Sequence, residues 1–322
     1  MESSFNNLFN SYITFDENFI SIINSNSLHD LNQSQTKDIF SEKWTQVAEY
    51  EDVNIFYDFQ RDWFLQLYGF GDEESLKNFL LTKNTILDTG CGLGYKAAWF
   101  AKLAPHAIVI GIDISDSIHF ASRNFKSIEN LYFIKGNIAN TRLKNGVIDF
   151  TVCDQVIMHT EVPEETFRHL AEITSDKGEL ACYVYSKKSL PRELIDDYFR
   201  NATHTIKKEK MWEFSEQLTE LGKRLSELKV SFDCPDIPLL GIKGGNYDIQ
   251  RFIYWNFLKC FWKEEWGFDL NKSTNFDWYA PSNAKRFSND EFIRMAEGAG
   301  MKPVFMHIEE ACYSGRFCKS FS

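Results

Sequence analysis

The sequence has no excess of positive charge, no C-x-x-C cysteine pair and no long uncharged apolar run. Its 322 residues carry 35 Lys and Arg against 46 Asp and Glu, which gives a formal net charge of −11. Proteins that bind nucleic acid need a basic surface to displace counterions, so this balance argues against a nucleic-acid partner. The sequence favours a small-molecule or protein substrate instead.

Cysteine is sparse and irregularly placed. The seven cysteines are odd in number and widely spaced, so neither a disulfide framework nor a zinc site is expected. The first residues lack a basic segment followed by an apolar stretch, and no later run approaches membrane-spanning length. We therefore expect a cytoplasmic protein with no membrane partner and no metal. The oligomeric state is left open, with a homodimer among the alternatives.

Aromatic residues are abundant, at 16% of the chain, and their spacing helps to divide it into regions. Residues 1–80 end in apolar positions spaced by three and four, which predicts an N-terminal helical cap. Residues 81–186 and 287–322 are predicted to form the core domain. Residues 187–286 hold five of the eight tryptophans, and they predict an inserted helical lid over the substrate.

Strand and helix patterns alternate along residues 81–186. The strands are expected over 85–88, 107–113, 131–134, 148–153 and 179–185, and their continuously apolar character indicates a parallel sheet covered on both faces. A capping box, Ser288 with Glu291, is expected to open a late helix. Two last strands, over 302–309 and 314–321, are expected to pair as an antiparallel hairpin at the sheet edge.

A glycine-rich turn follows the first predicted strand. Gly90, Gly92 and Gly94 come directly after Asp88 and before a helical pattern. A turn without side chains lets a nucleotide-like ligand approach the backbone, and the following helix offers free N–H groups. A dinucleotide-binding fold would use G-x-G-x-x-G, whereas the spacing here is G-x-G-x-G with an acid two residues ahead.

This arrangement resembles the class I S-adenosylmethionine-dependent methyltransferases, over roughly residues 85–185 and the last two strands. The resemblance implies an α/β fold with a Rossmann-like, doubly wound, seven-stranded sheet, mostly parallel with an antiparallel last strand, and a helical lid insertion. It also implies S-adenosylmethionine as the cofactor. The cofactor-binding residues implied by the resemblance are Asp88, Gly90, Cys91, Gly92, Gly94, Asp113, Ile114, Asn137, Ile138, Asp154 and Gln155.

The resemblance assigns roles to four of these residues. Asp88 would support the methionine amine, and Asp113 would accept hydrogen bonds from both ribose hydroxyls. Asn137 stands where the family usually has Asp, and its amide oxygen would accept from the adenine amino group while Ile138 covers the ring. Alternatively, Asp113 is only a strand-end helix cap and Asn137 only a turn residue.

Methyl transfer needs a nucleophile held in line with the S–CH3 bond and, for a hydroxyl or a protonated amine, a base that takes its proton. His159, just past the fourth predicted strand, is the first candidate for that base, and Glu161 is weaker. The alternative is a histidine satisfied by local capping near Pro163.

Substrate contacts are expected from the N-terminal helices and from the insertion. Within the insertion, the three-residue spacing of Asp248, Arg251 and Tyr254 predicts that they share one face of a helix. Alternatively, the first two form a structural salt bridge and the tyrosine is a core residue. The segment over 276–281 resembles its equivalent in methyltransferases of small metabolites and sugars. The substrate-binding candidates are Tyr57, Gln60, Trp63, Asp248, Arg251, Tyr254 and Tyr279.

The leading hypothesis is a methyltransferase that acts on an oxygen or nitrogen of a small molecule in natural-product or sugar metabolism. A protein methyltransferase is the nearer alternative. A nicotinamide-dependent oxidoreductase is disfavoured by the glycine spacing, and a catalytically silent S-adenosylmethionine-binding protein is the third alternative.

Overall fold

The computed structural model describes residues 5–14, 16–22, 31–47 and 53–319. Contacts within the chain divide it into two compact units. The first unit comprises residues 1–29, 57–186 and 285–322, and the second comprises residues 30–56 and 187–284. Each unit is described separately below.

The helices and strands follow one another along the chain in a regular order. The helices are α1 (Leu31–Val47), α2 (Val53–Leu67), α3 (Glu73–Leu80), α4 (Tyr95–Leu103), α5 (Ile118–Asn124), α6 (Pro163–Ile173), α7 (Leu190–Ala202), α8 (Lys208–Glu227), α9 (Ile249–Asn256), α10 (Gly267–Tyr279) and α11 (Asn289–Gly298). The strands are β1 (Phe19–Ser21), β2 (Thr85–Thr89), β3 (Ile108–Asp113), β4 (Leu131–Lys135), β5 (Ile148–Cys153), β6 (Thr174–Ser186), β7 (Ser231–Cys234), β8 (Gly245–Asp248), β9 (Arg286–Phe287), β10 (Met301–Ile308) and β11 (Cys312–Lys319).

The first unit is built on a nine-stranded sheet. Its strand order is β1-β4-β3-β2-β5-β6-β11-β10, and β9 pairs with β6 off this path. The pairs among β1 to β6 and β9 are parallel, whereas β11 is antiparallel to both β6 and β10. The predicted mostly parallel α/β sheet with an antiparallel last strand is confirmed. Its seven strands are β2 to β6, β10 and β11, to which the short β1 and β9 are added.

The central strands are apolar because helices cover both faces of the sheet. All five residues of β2 are buried, including the Asp88 carboxylate at its carboxyl end. The helix α4, which follows β2, presents Ala97, Ala98 and Ala101 to the core. Small side chains at these positions allow close packing, so the turn between β2 and α4 is fixed by the core below it.

The N-terminal region differs from the predicted helical cap over 1–80. Residues Phe19–Ser21 form a strand, which pairs in parallel with Phe133–Lys135 of β4. Residues 31–47 belong to the second unit, whereas residues 57–80 belong to the first. The sequence of this short segment has little strand pattern of its own. It forms a strand because the edge of β4 supplies its hydrogen bonds.

Other element boundaries shift by a few residues. β6 starts at Thr174 rather than 179, and α11 starts at Asn289 because Ser288 and Glu291 form the expected capping box. β11 ends at Lys319, and the remainder of the strand predicted to 321 lies outside the described residues.

The second unit consists of α1, α7, α8, α9 and α10, with an antiparallel hairpin of β7 and β8. Its core is aromatic. Trp212 and Phe276 stack with ring centroids 3.6 Å apart at an interplanar angle of 4°, and Phe199 stacks on Phe214 at 4.9 Å. None of the helices in the described ranges is long and apolar enough to cross a membrane.

Candidate active site

The glycine turn between β2 and α4 has a backbone that only glycine adopts easily. Gly90, Gly92 and Gly94 have φ values of 69°, 53° and 80°. A β-carbon on Gly90 would lie 2.4 Å from the Val156 side chain, and one on Gly94 would lie 2.8 Å from Cβ of Ala121. Glycine is therefore required at both positions by conformation and by space.

Backbone hydrogen bonds attach the turn to the end of β3. The N–H groups of Gly90 and Cys91 both donate to the carbonyl oxygen of Ile112, at 2.7 and 3.1 Å. Gly94 precedes α4, which has no side-chain N-cap. Within its first turn, the Ala97 N–H donates to the Asp88 carboxylate, which joins α4 to the end of β2.

Asp113, at the carboxyl end of β3, holds the turn from the other side. Its Oδ2 accepts from the Gly92 N–H at 2.8 Å, and its Oδ1 accepts from the N–H and the hydroxyl of Ser115 at 2.7 and 2.6 Å. Burial raises the pKa of this carboxyl, and these hydrogen bonds oppose the rise. The Ile114 N–H also donates to this carboxylate, so its acceptor positions are largely used within the turn itself.

Asp88 is buried at the end of β2. Its Oδ2 has no hydrogen-bond partner among the described residues. Burial raises the pKa of Asp88 to about 7, against the opposing effect of the Lys96 ammonium, and the carboxylates of Asp154 and Asp113 raise it further. A buried carboxylate oxygen without a donor fits the positively charged amine of S-adenosylmethionine, because a cation would both pair with it and lower its pKa.

Two residues that the sequence did not single out, Lys96 and Tyr68, join Asp154 at the end of β5. The Lys96 ammonium forms an ion pair with Oδ2 of Asp154, and the Tyr68 hydroxyl donates to Oδ1 at 2.9 Å. Burial lowers the pKa of Lys96, but the carboxylates of Asp154 and Asp88 outweigh this effect and raise it. One signal for Lys96 was available, since it lies in the first turn of the helix that follows the glycines.

Helix α2 brings two of the predicted substrate residues against Gln155, a predicted cofactor residue, and against Tyr95. Nε2 of Gln155 donates to Oε1 of Gln60 at 2.8 Å. The ring of Tyr57 stacks on Tyr95, with centroids 3.6 Å apart and an interplanar angle of 23°. Because Tyr95 is the first residue of α4, Tyr57 lies beside the glycine turn.

Three predicted cofactor-binding residues follow β3 and β4, and two of them, Asn137 and Ile138, are the predicted adenine contacts. Ile138 is buried, and Ile114 and Asn137 are half-buried. Oδ1 of Asn137 accepts from the N–H of Ala139 at 2.9 Å, which forms a local turn. One lone pair of this oxygen remains, so the turn role and a role in binding an amino group are compatible.

His159 ends a short 3-10 helix, Ile157–His159, beyond β5. The side chain is buried, and Nε2 lies 3.4 Å from the Tyr185 hydroxyl. The Tyr185 ring makes an edge-to-face contact with the Tyr183 ring, which makes a second such contact with Trp63. The structure thus brings predicted residues His159 and Trp63 to one aromatic row, which also contains Tyr183 and Tyr185.

In the second unit, Arg251 and Tyr254 lie close together on α9, whereas Asp248 precedes the helix. Asp248 is the N-cap of α9, where its carboxylate accepts from the Arg251 N–H at 3.2 Å. No ion pair joins Asp248 to the Arg251 side chain in the part of the chain that the structure describes. The three-residue spacing of Asp248 and Arg251 is thus the distance from an N-cap to the third helical residue.

Tyr279, another predicted substrate residue, is a core residue of the second unit. Its ring is fully buried against Phe199 and Phe214. Its hydroxyl accepts a hydrogen bond from the backbone N–H of Lys259 at 2.8 Å. Tyr254 is half-buried, with the guanidinium of Arg251 5.6 Å from its ring. The substrate roles of these residues stay predictions.

Comparison with known proteins yields one family and several similar folds. The model of a family described as "Methyltransferase domain" matches residues 81–228. No curated protein sequence matches the chain. The structure of PKMT2 from Rickettsia typhi is 17% identical and has a TM-score of 0.50, over 79% of this chain and 50% of that chain.

Two further structures have lower TM-scores. Magnesium protoporphyrin IX methyltransferase from Synechocystis PCC 6803 is 13% identical, with a TM-score of 0.47 over 90% of this chain and 100% of that chain. The 1,6-didemethyltoxoflavin-N1-methyltransferase of Burkholderia thailandensis is 10% identical, with a TM-score of 0.41 over 87% of this chain and 91% of that chain.

Proposed function

We propose that this chain, which carries a class I S-adenosylmethionine-dependent methyltransferase domain, methylates an oxygen or nitrogen atom of a small molecule. S-adenosylmethionine, its methyl donor, supplies a methyl group already activated by the positive charge of the sulfonium. The chain's own residues have three tasks: to hold the donor, to hold the acceptor, and to accept the proton that the acceptor releases.

The donor is held, in this proposal, by the carboxyl ends of β2, β3 and β4. Asp88 pairs with the donor's amine, and Asp113 accepts from the ribose while it braces Gly92. Asn137 and Ile138 take the adenine. The support for these roles is the buried Asp88 oxygen without a partner and the turn from which side chains are excluded. Lys96 positions Asp154 beside Asp88 rather than contacting the acceptor.

The acceptor is held by the aromatic row of Trp63, Tyr183, Tyr185 and His159. Small-molecule sites are mostly apolar and aromatic, with a few polar groups that fix orientation. The row has this character, since its rings contact one another and the Tyr185 hydroxyl and the His159 imidazole supply polar groups at one end. A net charge of −11 also disfavours a polyanionic acceptor.

His159 is proposed as the base. The backbone N–H of His159 donates to the carbonyl of Val156, whose side chain limits the space at Gly90. The imidazole is therefore held one short helical turn from the glycine turn. In the free protein the Tyr185 hydroxyl, 3.4 Å from Nε2, positions the ring. The acceptor replaces this hydroxyl as the partner of Nε2, which then takes the acceptor's proton. The observation that carries the proposal is this His159–Tyr185 pair next to the glycine turn.

The test uses S-adenosylmethionine labelled in its methyl group. The purified protein is incubated with label and a cell extract, and the extract is then separated by ultrafiltration into small molecules and macromolecules. Chromatography then separates unreacted donor from products, and a labelled small-molecule product that forms only with the protein is the expected result. Label only in the macromolecular fraction would favour the protein-methyltransferase alternative, and no transfer to either would contradict the proposal.

A further inference from the structure

A cluster of charged side chains lies inside the second unit, around the indole of Trp278. The side chain of Lys259 is only 8% exposed, and its ammonium lies 4.5 Å from the Trp278 ring centroid. Lys43, 9% exposed, forms an ion pair with Oδ2 of Asp277 at 2.5 Å. Both lysines therefore bring charge into the interior of this unit.

A buried arginine completes the cluster. Nε of Arg192 donates to both oxygens of Asp196, each at 3.1 Å. Its guanidinium lies 5.0 Å from the Trp278 ring. Arg192 and Asp196 are both fully buried and form an ion pair, and a second nitrogen of Arg192 donates to the Tyr254 carbonyl.

The cluster contains more positive than negative charge. Among the described residues, the three cations named above face two carboxylates, Asp277 and Asp196, which leaves one positive charge in excess. Two further cations lie close by, since Arg251 contacts the Tyr254 ring and Arg200 donates to the backbone of Trp278 and Pro281. A buried charge is costly unless it is paired, so an excess of this kind needs an anion.

Lys259 is the member whose charge is least compensated. Its ammonium lies 3.9 Å from Oδ1 of Asp277, beyond hydrogen-bond distance, and it donates no hydrogen bond to an acceptor within the described residues. Burial lowers the pKa of Lys259 to about 8, Asp277 and Asp196 oppose the shift, and Arg192 and Lys43 contribute to it. An anion beside this ammonium would supply the missing acceptor and stabilise its charge.

We propose that the second unit binds the anionic group of a small molecule, a carboxylate or a phosphate ester, at the Lys259 ammonium, with Lys43 and Arg192 as flanking cations. The site goes beyond the proposed methyl transfer, because it is defined within the second unit alone. It holds whether the bound anion belongs to the methyl acceptor or to another ligand.

Calorimetry with four probes of one ring size tests the proposal: benzoate, phenyl phosphate, neutral benzamide and cationic benzylamine. Benzoate or phenyl phosphate is expected to bind at least tenfold more tightly than the other two. The better of the two anions identifies the group as a carboxylate or a phosphate ester. Equal binding of benzamide, or binding of neither anion, would overturn the proposal.

The Lys259→Gln variant is expected to bind the preferred anion at least tenfold more weakly. Lys210→Gln, which removes an exposed lysine of the same unit, is the matched control and should bind it unchanged. Unchanged affinity in Lys259→Gln would overturn the proposal. The affinity of Lys259→Gln for S-adenosylmethionine is expected to stay at the wild-type value. A failure of the anion-site proposal is therefore distinguishable from a failure of the proposed methyl transfer.

The wild-type protein provides a second measurement if Lys259→Gln does not fold. Deprotonation of Lys259 removes the charge that binds the anion, so anion affinity should fall about tenfold between roughly pH 7 and pH 9. Constant affinity over this range would contradict the assignment to Lys259.

Discussion

The carboxylate of Asp113 accepts a hydrogen bond from the backbone N–H of Gly92 at 2.8 Å, which joins the end of β3 to the turn after β2. A turn of glycines has no side chains with which to fix itself. Its position is therefore set by neighbouring strands, through Asp113 and through the Ile112 carbonyl. Asp113 thus fixes the position of the glycine turn, in addition to any contact it makes with the methyl donor.

Asp113→Ala is expected to weaken S-adenosylmethionine binding at least tenfold, since it removes both the brace on Gly92 and the proposed ribose acceptor. Calorimetry measures the affinity directly. Asp116→Ala is the control, because Asp116 is an exposed acid three residues later that pairs with Lys135. An Asp113→Ala affinity equal to that of the control would remove the ribose role.

Gly90→Ala is expected to destabilise the protein more than Gly71→Ala does. Both positions have positive φ, but a β-carbon meets the Val156 side chain at Gly90 and nothing within 4 Å at Gly71. Gly71→Ala should cost about 1 kcal/mol from backbone strain alone, and Gly90→Ala about 1–3 kcal/mol more from overpacking. Denaturant unfolding measures both, and the additional substitution Val156→Ala should recover part of the Gly90→Ala loss.

Asp88 should make donor binding pH-dependent. Its pKa is raised to about 7, so the carboxyl is increasingly protonated below that value and cannot pair with the donor's amine. Affinity for S-adenosylmethionine is therefore expected to rise roughly eightfold between about pH 6 and pH 7.5, and calorimetry at both values measures it. The rise should be absent in Asp88→Asn.

The raised pKa of Asp88 has the opposite effect on the stability of the protein without ligand, which should fall as pH rises. Between the ordinary aspartate pKa and about 7 the folded chain holds a proton on Asp88 that the unfolded chain releases, so this group's contribution to stability falls as pH rises through that window. Asp88→Asn should lack this fall. A wild-type stability profile identical to that of Asp88→Asn would contradict the raised pKa.

Lys96→Met is expected to lower the free energy of unfolding by about 2 kcal/mol or more. It leaves the buried Asp154 carboxylate without its cation, and the cost is below that of a fully buried pair because Lys96 is 21% exposed. Adding Asp154→Asn should restore part of the loss, as a double-mutant cycle would show. Lys77→Met is the control, since its pair with Glu74 is exposed and contributes little.

The sequence predicted the part of the fold that depends on local pattern. The buried strands β2 to β5 are continuous apolar runs, and the glycines and acids at their ends are adjacent in sequence to those runs. Parallel strands place their carboxyl ends at one edge, so Asp88, Asp113 and Asp154 could be expected together before any coordinates.

The partners of these acids could not be predicted in the same way. Tyr68 lies 86 residues before Asp154, and its contact depends on how α2 packs on the sheet. The three-residue spacing of Asp248 and Arg251 fits both an N-cap contact and a shared helix face, and only the first residue of α9 decides between them. Likewise, β1 owes its strand conformation to β4 rather than to its own sequence.

His159→Gln is expected to lower the rate of methyl incorporation in the labelled-donor assay by about 10²–10⁴-fold, the usual contribution of a general base. The imidazole accepts the acceptor's proton at Nε2, and glutamine offers an amide that cannot take a proton at neutral pH. The affinity of the His159→Gln variant for S-adenosylmethionine should stay unchanged, which separates loss of the base from loss of the donor site. Tyr185→Phe keeps the imidazole and removes only the hydroxyl that positions it, so a smaller loss is expected.

His169→Gln is the matched control for this prediction, because His169 is a histidine of the same unit that accepts from the Thr141 N–H at 3.1 Å. It should cost stability and leave the incorporation rate near the wild-type value. If His159→Gln and His169→Gln lost the same fraction of activity, the effect would come from folding, and the proton would have to leave through another group. A retained rate in His159→Gln would assign the reaction to an acceptor that needs no base, such as an amine already neutral when it is bound.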